Sequence, residues 1–423
     1  MSAPPATLES LATRTASIQD AIARVGTAAE SYAEISRKSL GGDSSVAETT
    51  AAQNALVLEA KKLLIQAQGP LGSLFDLIQS TCQTAAISAL LEVGVFNALP
   101  VDGTPMTADE LVQKLQVPVE KALLVRLLRN VTVTGPLVEV DEETYAQTPF
   151  STLLTNPDLA ATYKHIMDEG WPSIAFMTPY FRANGWKQPI DTTNNPYTFA
   201  HRTGGKEMWA HIAQFPDRQA NSNRAMKARS FDGVWSIGLY PFAERLAELS
   251  SPSDNDDTPL VVDVGGGAGH TSKTIRELCA GVKGRIVLQD RAEVVEDAPK
   301  IEGVVSMPHD FFEPQPVKGA RIYYLRRILH DWADPSCVAI LRHLAAAITD
   351  PESSRIVIAE QILPTKGVPA ESAMIDMLMM TFTGCERTEK QWEELLAQAG
   401  LKLEQFHKNP GTLFGAIEAR LAV

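Results

Sequence analysis

An apolar run, Leu260-Val261-Val262-Asp263-Val264, stops at Gly265-Gly266-Gly267-Ala268-Gly269, and a helical pattern takes over from Thr271 to Cys279. A buried strand that ends in glycines and enters a helix lets backbone approach a small ligand with no Cβ in the way. Spacing narrows the ligand. A dinucleotide fingerprint requires G-x-G-x-x-G, and counted from Gly265 its third glycine would be His270. Counted from Asp263, the run is D-x-G-x-G-x-G through Gly265, Gly267 and Gly269. A second strand-like run, Arg285 to Asp290, ends in an acid about twenty residues further on, where a carboxylate can accept both hydroxyls of a ribose. The plain alternative, a tight turn that binds nothing, explains the glycines but not Asp290.

These groups need a sheet to present them. Val304 to Phe312 is expected as a third strand ending in Asp310-Phe311, Arg321 to Leu325 as a fourth and Arg355 to Glu360 as a fifth. Helical patterns at Pro335–Ile348 and Lys390–Ala399 lie between or after them, and strands alternating with helices predict a doubly wound parallel sheet. The last two runs, Leu401 to Phe406 and Leu413 to Glu418, are joined at Lys408-Asn409-Pro410-Gly411 and predict an antiparallel end. Ligands of such sheets sit outside the carboxyl ends of the strands. The informative residues are therefore Gly265 to Gly269, Asp290, Asp310-Phe311, the stretch Arg326 to Trp332, and Glu360. A polar cluster, Gly384 to Lys390, precedes the late helix.

Upstream, Leu8, Leu11, Ile18, Ile22 and Val25 share a helical face, Gly41 to Ser45 punctuate it, and a second helix runs from Ala47 to Gln68, before Gly69-Pro70. Another helical stretch covers Ser73 to Leu99. Thr107 followed by Glu110 has the form of a capping box, a helix follows over Glu120–Asn130, and Leu137–Asp141 with Thr144–Ala146 reads as a hairpin. Helices closed by a hairpin are a winged-helix layout. DNA binding does not follow, because the third helix sets Lys121, Arg126 and Arg129 among Leu123, Leu124, Val125, Leu127 and Leu128, the composition of a packing helix. Residues 155–240 are rich in aromatics and Met, suited equally to an apolar pocket or a plain helical core. His165, His201 and His211 lack metal-ligand spacing. A polar linker, Ser250 to Pro259, leads into the sheet, so the expected division is 1–68, 69–240 and 241–423.

At 423 residues and 44% apolar content the chain holds ordinary globular cores, and its net charge of -13 excludes a basic nucleic-acid surface. Small-molecule chemistry is favoured. Four dispersed cysteines suggest neither a zinc site nor a disulfide framework. No apolar run reaches the roughly 18 residues needed to span a bilayer, and the first forty residues lack signal-peptide and transit-peptide character, so a cytoplasmic location is expected.

The D-x-G-x-G-x-G form resembles the first motif of the S-adenosylmethionine (SAM) methyltransferases, which accommodate no pyrophosphate at the helix start. With Val262–Gly267, Leu325–Trp332, Ala359-Glu360 and Glu386-Arg387-Thr388 together, the chain from about Gly69 onward resembles the class II, caffeic-acid-type O-methyltransferases, in particular their fungal secondary-metabolism branch. The resemblance implies a Rossmann-like sheet with an antiparallel last strand and a winged-helix dimerisation domain that makes the protein a homodimer. It implies SAM held by Asp263, Gly265, Gly267, Gly269 and Asp290, with Asp310 and Phe311 beside the adenine and Arg326 where the family has a cofactor-site Lys. His330 matches the general base, flanked by Glu360 and Glu386. Met226 matches a pocket methionine; His165, Met379 and Phe382 are candidate substrate contacts. Cys385 departs from the family's Lys before Glu386, which leaves the acceptor geometry open. The implied reaction is methylation of a hydroxyl on an aromatic or polyketide-like small molecule. The alternatives are a SAM-bound pericyclase or dehydratase that does not consume the methyl, or a non-catalytic module; a nicotinamide dehydrogenase fails on the glycine spacing.

Overall fold

In a computed structural model of the protein, described over residues 8–41, 46–231, 234–252, 254–296, 298–409 and 412–422, the chain forms two compact units that divide between Ala160 and Ala161. The first unit opens with two long helices, Leu8–Leu40 and Val46–Glu92. They lie against each other: Arg14 Nη2 donates to Ala67 O at 2.8 Å and Arg24 Nε to Glu59 at 3.1 Å. The punctuation expected at Gly42 to Ser45 lies outside the described residues, as do the side chains of Leu8 and Leu11. The second helix bends at Gly69, whose φ of 69° and ψ of 176° are not helical, and Pro70 supplies no N–H to repair the break. The stretches 47–68 and 73–92 are thus two arms of one bent rod.

The rest of this unit contains β1 (Met106–Thr107), helices Ala108–Lys114 and Lys121–Thr132, β2 (Leu137–Asp141) and β3 (Thr144–Gln147), with β3 paired antiparallel to both β1 and β2. This is the winged-helix layout. Its capping box is formed: Thr107 N donates to Glu110 Oε2 at 2.8 Å, and Glu110 N to Thr107 Oγ1 at 3.3 Å. Helix Lys121–Thr132 buries Leu124, Val125, Leu128 and Val131, so its leucine-rich composition serves packing.

The second unit places helices between Ala161 and Leu249 in the same compact body as the sheet, so the boundary expected near residue 240 falls inside it. The sheet comprises β4 (Pro259–Val264), β5 (Arg285–Asp290), β6 (Val304–Pro308), β7 (Ile322–Arg326), β8 (Arg355–Leu363), β9 (Arg387–Thr388), β10 (Leu401–Lys408) and β11 (Phe414–Leu421). Its order is β10-β11-β8-β7-β4-β5-β6, with β9 beside the end of β8. Strands β4 to β8 are parallel, and β11 runs antiparallel between β8 and β10. Both faces are covered, which is why the strands read as unbroken apolar runs. Tyr323, Leu325, Ile356 and Ile358 pack on one face, with Leu341 and Trp392 from the helices. Ile322, Tyr324 and Val357 pack on the other, with Phe242, Leu246 and Ile275. Burying each large aliphatic side chain contributes about 1.5–3 kcal/mol, so this double-sided core holds the strand ends rigid.

Strand β6 ends at Pro308, short of the expected Phe312: its partner β5 ends at Asp290, whose carbonyl accepts the last ladder bond from His309 N at 2.8 Å. Asp310 and Phe311 consequently sit in the turn beyond it. Pro410 and Gly411 of the expected hairpin turn lie outside the described residues. Among the described residues no helix is long and apolar enough to cross a membrane.

Candidate active site

The loop between β4 and helix His270–Leu278 is shaped by glycines that stand where other residues would collide or strain. Gly265, Gly267 and Gly269 all have φ between 59° and 83°. A Cβ on Gly265 would stand 2.5 Å from Ile328 Cδ1, whereas none of the protein lies within 4 Å of a Cβ placed on Gly267. The loop is therefore packed on its β7 side and open at Gly267, a cradle facing outward. Asp290 closes one edge: its Oδ2 accepts from Gly267 N at 2.8 Å and its Oδ1 from Arg291 N at 2.8 Å. Asp263 plays a different part from a ligand-facing acid. It is buried beneath the loop, where its Oδ2 accepts from Ser272 Oγ at 2.6 Å, and burial pushes its carboxyl up to about 6. It pins strand end to helix start.

The other edge is aromatic. Phe311 packs on Phe312, with centroids 5.0 Å apart, and meets Trp332 edge-on at 6.0 Å. Trp332 lies two residues beyond His330, so the ring expected beside an adenine is tied to the turn that carries the expected base. Arg326, at the end of β7, is a largely buried guanidinium whose Nε lacks a hydrogen-bond partner; it makes a long 3.4 Å bond to Ser236 and lies 5.7 Å from the Phe414 ring centroid. Burial lowers its pKa. An open cradle, a ribose-height acid, an aromatic edge and an under-partnered cation fit an adenosine-type cofactor bearing a charged tail.

His330 sits in a short turn, Leu329–Asp331, just past β7. Glu386 Oε1 lies 2.8 Å from its Nδ1, and Glu360 Oε2 lies 3.9 Å from the same nitrogen. Both glutamates are essentially inaccessible, and each keeps one carboxylate oxygen with no hydrogen-bond partner. The two do different work. Glu360 Oε1 accepts from the backbone N–H groups of Ile328 at 2.8 Å, Leu329 at 3.0 Å and His330 at 3.4 Å, so it holds the turn by its main chain. Glu386 holds the ring. Burial raises the pKa of Glu360 and the Glu386 charge adds to this, partly offset by His330. Burial by itself would discharge the imidazole, but Glu360, Asp331 and the Glu386 hydrogen bond outweigh it and raise the pKa of His330.

Some functional groups escape a linear reading. Arg387, 1% exposed, donates to Leu329 O at 3.0 Å, to Trp332 O at 2.8 Å and to Asp334 Oδ1 at 2.8 Å, gripping both ends of the His330 turn. Asp376 accepts from Glu386 N at 2.8 Å, from a helix (Ala370–Met380) that the pattern did not delimit. Asp331 Oδ1 stands 3.5 Å from His330 Nε2. The only signal for the first was its place in Glu386-Arg387-Thr388; for the last, its adjacency to His330. The turn before Glu386 is strained at Thr383, a β-branched residue with φ of 92°. Gly384 follows because a Cβ there would stand 2.3 Å from His330 O.

Of the expected acceptor-side residues, Phe382 packs on a cluster of Tyr197, Met208, Ile212 and Trp209. Met379 is buried, and its carbonyl accepts from Gly384 N at 2.9 Å, one residue from Cys385. Met226 is 39% exposed on helix Pro216–Phe231, and His165 is half-buried. Glu169, in a π-helical segment, accepts from Tyr197 Oη at 2.7 Å and from Arg218 Nε at 2.7 Å, a polar brace among these helices.

A histidine backed by carboxylates, two residues from the isoleucine that walls a nucleoside cradle, is an arrangement for moving a proton next to a bound adenosine. With β11 antiparallel in a doubly wound sheet, the class defined is that of SAM-dependent methyltransferases. Residues 190–402 match the O-methyltransferase domain and residues 75–157 the O-methyltransferase dimerisation domain. The chain is 43% identical to O-methyltransferase opaF of Aspergillus ustus over 86% of each chain. It is similar in structure to OxaC in complex with SAH and oxaline, with a TM-score of 0.85 and 33% identity over 96% of this chain and 100% of that one. It is also similar to a solved structure described as a pericyclic reaction enzyme, with a TM-score of 0.76 and 26% identity over 98% of this chain and 100% of that one. The protein belongs to the O-methyltransferase family, among relatives from fungal secondary metabolism, and is a SAM-dependent O-methyltransferase.

Proposed function

We propose that His330 is the general base that takes the proton from an acceptor hydroxyl, with Glu386 fixing its tautomer and Glu360 fixing its turn. The observation that carries this reading is the 2.8 Å contact between Glu386 Oε1 and Nδ1, which commits that nitrogen to the carboxylate and leaves Nε2 as the nitrogen to take the acceptor's proton. Bound SAM supplies an electrophilic methyl on a sulfonium. A phenolic acceptor, with a pKa of about 10, is mostly protonated at neutral pH, so a base acting as the new bond forms contributes about 10²–10⁴ in rate. The remainder comes from placing oxygen and methyl in line within a water-poor pocket.

In this reading Gly265, Gly267, Gly269 and Asp290 hold the nucleoside, Asp263 shapes their loop, and Asp310, Phe311 and Arg326 complete the cofactor site. Met226, His165, Met379 and Phe382 line the acceptor side, and the acceptor is an aromatic or polyketide-like small molecule. The protein works as a homodimer through residues 69–240, the segment containing the dimerisation match; exposed Phe75, Leu77 and Ile78 support this.

Incubation with methyl-labelled SAM and a panel of phenolic and polyketide acceptors tests the reading: label in the product with matching S-adenosylhomocysteine (SAH) supports it. His330→Ala is expected to lower turnover by about 10²–10⁴ while SAM affinity stays nearly intact; unchanged turnover would remove His330 from the role. A second reading, rearrangement or dehydration of a substrate without methyl consumption, draws on the similarity to the pericyclic reaction enzyme. Product formed from unlabelled precursor, with no label transferred, would favour it.

A further inference from the structure

Gln289 stands next to the end of β5, in a parallel sheet with β4 and β6 on either side, and is only 1% exposed. A buried carboxamide destabilises a fold unless its donor and acceptor are both matched, so its partner is informative. That partner is Gln315, also 1% exposed. Gln289 Nε2 donates to Gln315 Oε1 and Gln315 Nε2 donates to Gln289 Oε1, each at 2.8 Å. Gln315 Oε1 accepts a further bond from Val317 N at 3.0 Å, and Gln289 Nε2 lies 3.4 Å from Met307 Sδ. Two side chains from distant parts of the sequence thus satisfy each other reciprocally.

The pair lies where three walls of the cradle meet. The main-chain carbonyl of Gln289 accepts from Gly265 N at 2.8 Å and from Gly266 N at 3.0 Å, which ties the glycine loop to β5. The next residue is Asp290, whose carbonyl accepts from His309 N at 2.8 Å. His309 opens the segment that carries Asp310 and Phe311, and Gln315 closes it. Inside the segment Asp310 Oδ1 accepts from Phe312 N at 2.9 Å and Asp310 O from Glu313 N at 2.9 Å, so the turn has bonds of its own. Both feet of this turn therefore rest on consecutive residues of one strand, the first through main chain and the second through side chains. The second foot can be cut by substitution.

Building on the assignment of Asp310 and Phe311 to the cofactor site, we infer that Gln289 and Gln315 are positioning residues for SAM: their paired amides hold the Asp310-Phe311 turn against the strand that also fixes the glycine loop and Asp290. Neither glutamine has to touch the cofactor. With the pair cut, the turn keeps its foot at His309 but spends part of its time displaced, and apparent affinity falls with the fraction of molecules in which it is in place. The His330 turn is secured separately by Glu360 and Arg387, so turnover at saturating SAM is expected to survive.

The test is calorimetric titration of the intact protein with SAM, alongside thermal unfolding and steady-state kinetics. Gln315→Leu removes one amide at similar volume. It should weaken SAM binding about 5- to 50-fold and raise KM for SAM in step, with kcat and KM for the acceptor within about threefold of wild type. A lower unfolding midpoint with unchanged SAM affinity would make the pair merely structural and overturn the proposal. Gln289→Glu gives an isosteric variant with a pH signature. As the neutral acid it can donate through O–H and accept through C=O, as the amide does; as the carboxylate it sets two acceptors face to face. Asp263, equally buried on the adjacent β4, is pushed up to about 6, and burial should likewise raise a glutamate at position 289. SAM affinity of Gln289→Glu relative to wild type should therefore be close to restored near pH 5 and fall as pH rises to about 9. A ratio that does not change with pH would overturn the proposal.

Phe311→Ala separates this inference from the assignment beneath it. If Phe311→Ala leaves SAM affinity unchanged, the assignment of the turn to the cofactor fails. If Phe311→Ala weakens SAM binding and Gln315→Leu does not, the assignment stands and the role of the pair fails. Because the pair acts through the turn, Gln315→Leu should weaken SAM binding much less in the Phe311→Ala background than in wild type. Full additivity of the two substitutions would count against the proposal.

Discussion

Two buried glutamates stand on neighbouring strands of the same sheet and live in opposite electrostatic circumstances. Glu418 on β11 pairs across from Val357, while Glu360, three residues further along β8, pairs across from Gly415. Glu418 Oε1 accepts from Tyr240 Oη at 2.9 Å and Arg245 Nη2 at 2.7 Å, and its Oε2 lies 2.9 Å from His407 Nε2. Burial alone would raise its pKa, but the hydrogen bonds from His407, Arg245 and Tyr240 outweigh burial and lower it. Glu360 has three backbone donors on one oxygen, none on the other, and a raised pKa. One carboxylate is satisfied and belongs to the architecture. The other is held short of satisfaction at the carboxyl end of its strand, where ligands of such sheets bind. Under-satisfaction, more than burial or charge, separates the cluster proposed to be catalytic from the structural one.

The sharpest way to break that contrast is to alter one member of each cluster and exchange the readouts. Glu386→Gln should lower kcat by about 10²–10⁴, because the amide can no longer stabilise the imidazolium, and should move the unfolding midpoint little. Glu418→Ala should do the reverse: taking the acceptor from the buried Tyr240 hydroxyl and from Arg245, which keeps Glu248 and Glu404, costs about 1–3 kcal/mol, visible as a midpoint lower by several degrees, with kcat nearly unchanged. If Glu418→Ala destroyed turnover in still-folded protein, the division would be wrong.

The pH dependence should sharpen it further. Glu418 has a lowered folded pKa, so its contribution is present above the ordinary carboxylate value of about 4.3 and is lost as pH falls through the lowered one. Glu360 and His330 have raised folded values, so their contribution is fully present below their ordinary values and is lost as pH rises through the raised ones. Glu360→Gln should therefore gain stability relative to wild type as pH rises above neutral, while losing activity; thermal melts across pH measure this. The smallest expected effect lies in the cradle. Gly267→Ala meets no obstruction but must hold φ of 59°, a strain of about 1–2 kcal/mol, and should weaken SAM binding several-fold without touching either glutamate cluster.

How much of this was legible in the sequence depended on whether a residue's job is local. The glycine loop was legible because positive φ and close approach are properties of the loop's own residues. Asp290 followed from its place at a strand end. His330, Glu360 and Glu386 were nameable by resemblance, and strand periodicity placed the first two at sheet ends, but nothing in the order of residues says that Glu360 spends one oxygen on three backbone amides. Arg387 reaches its carbonyl partners across more than fifty residues, a tertiary fact. The bend at Gly69-Pro70 was legible as punctuation, yet not as a bend within one rod. Asp263, expected at the cofactor, turns inward to Ser272, since the alternation along β4 points it beneath the loop.

The way the His330 turn is secured also bears on how such a protein can change its chemistry. Glu360 and Arg387 grip the turn by its main-chain amides and carbonyls, and Gly384 packs on the carbonyl of residue 330 itself. None of these contacts requires an imidazole. Position 330 is thus chemically exchangeable within a fixed frame, so on the role proposed for His330 a single codon would abolish methyl transfer while the fold persists. A lineage that sets its cofactor to another use has a short path from this architecture, and the same scaffold can be inherited by enzymes that never spend the methyl.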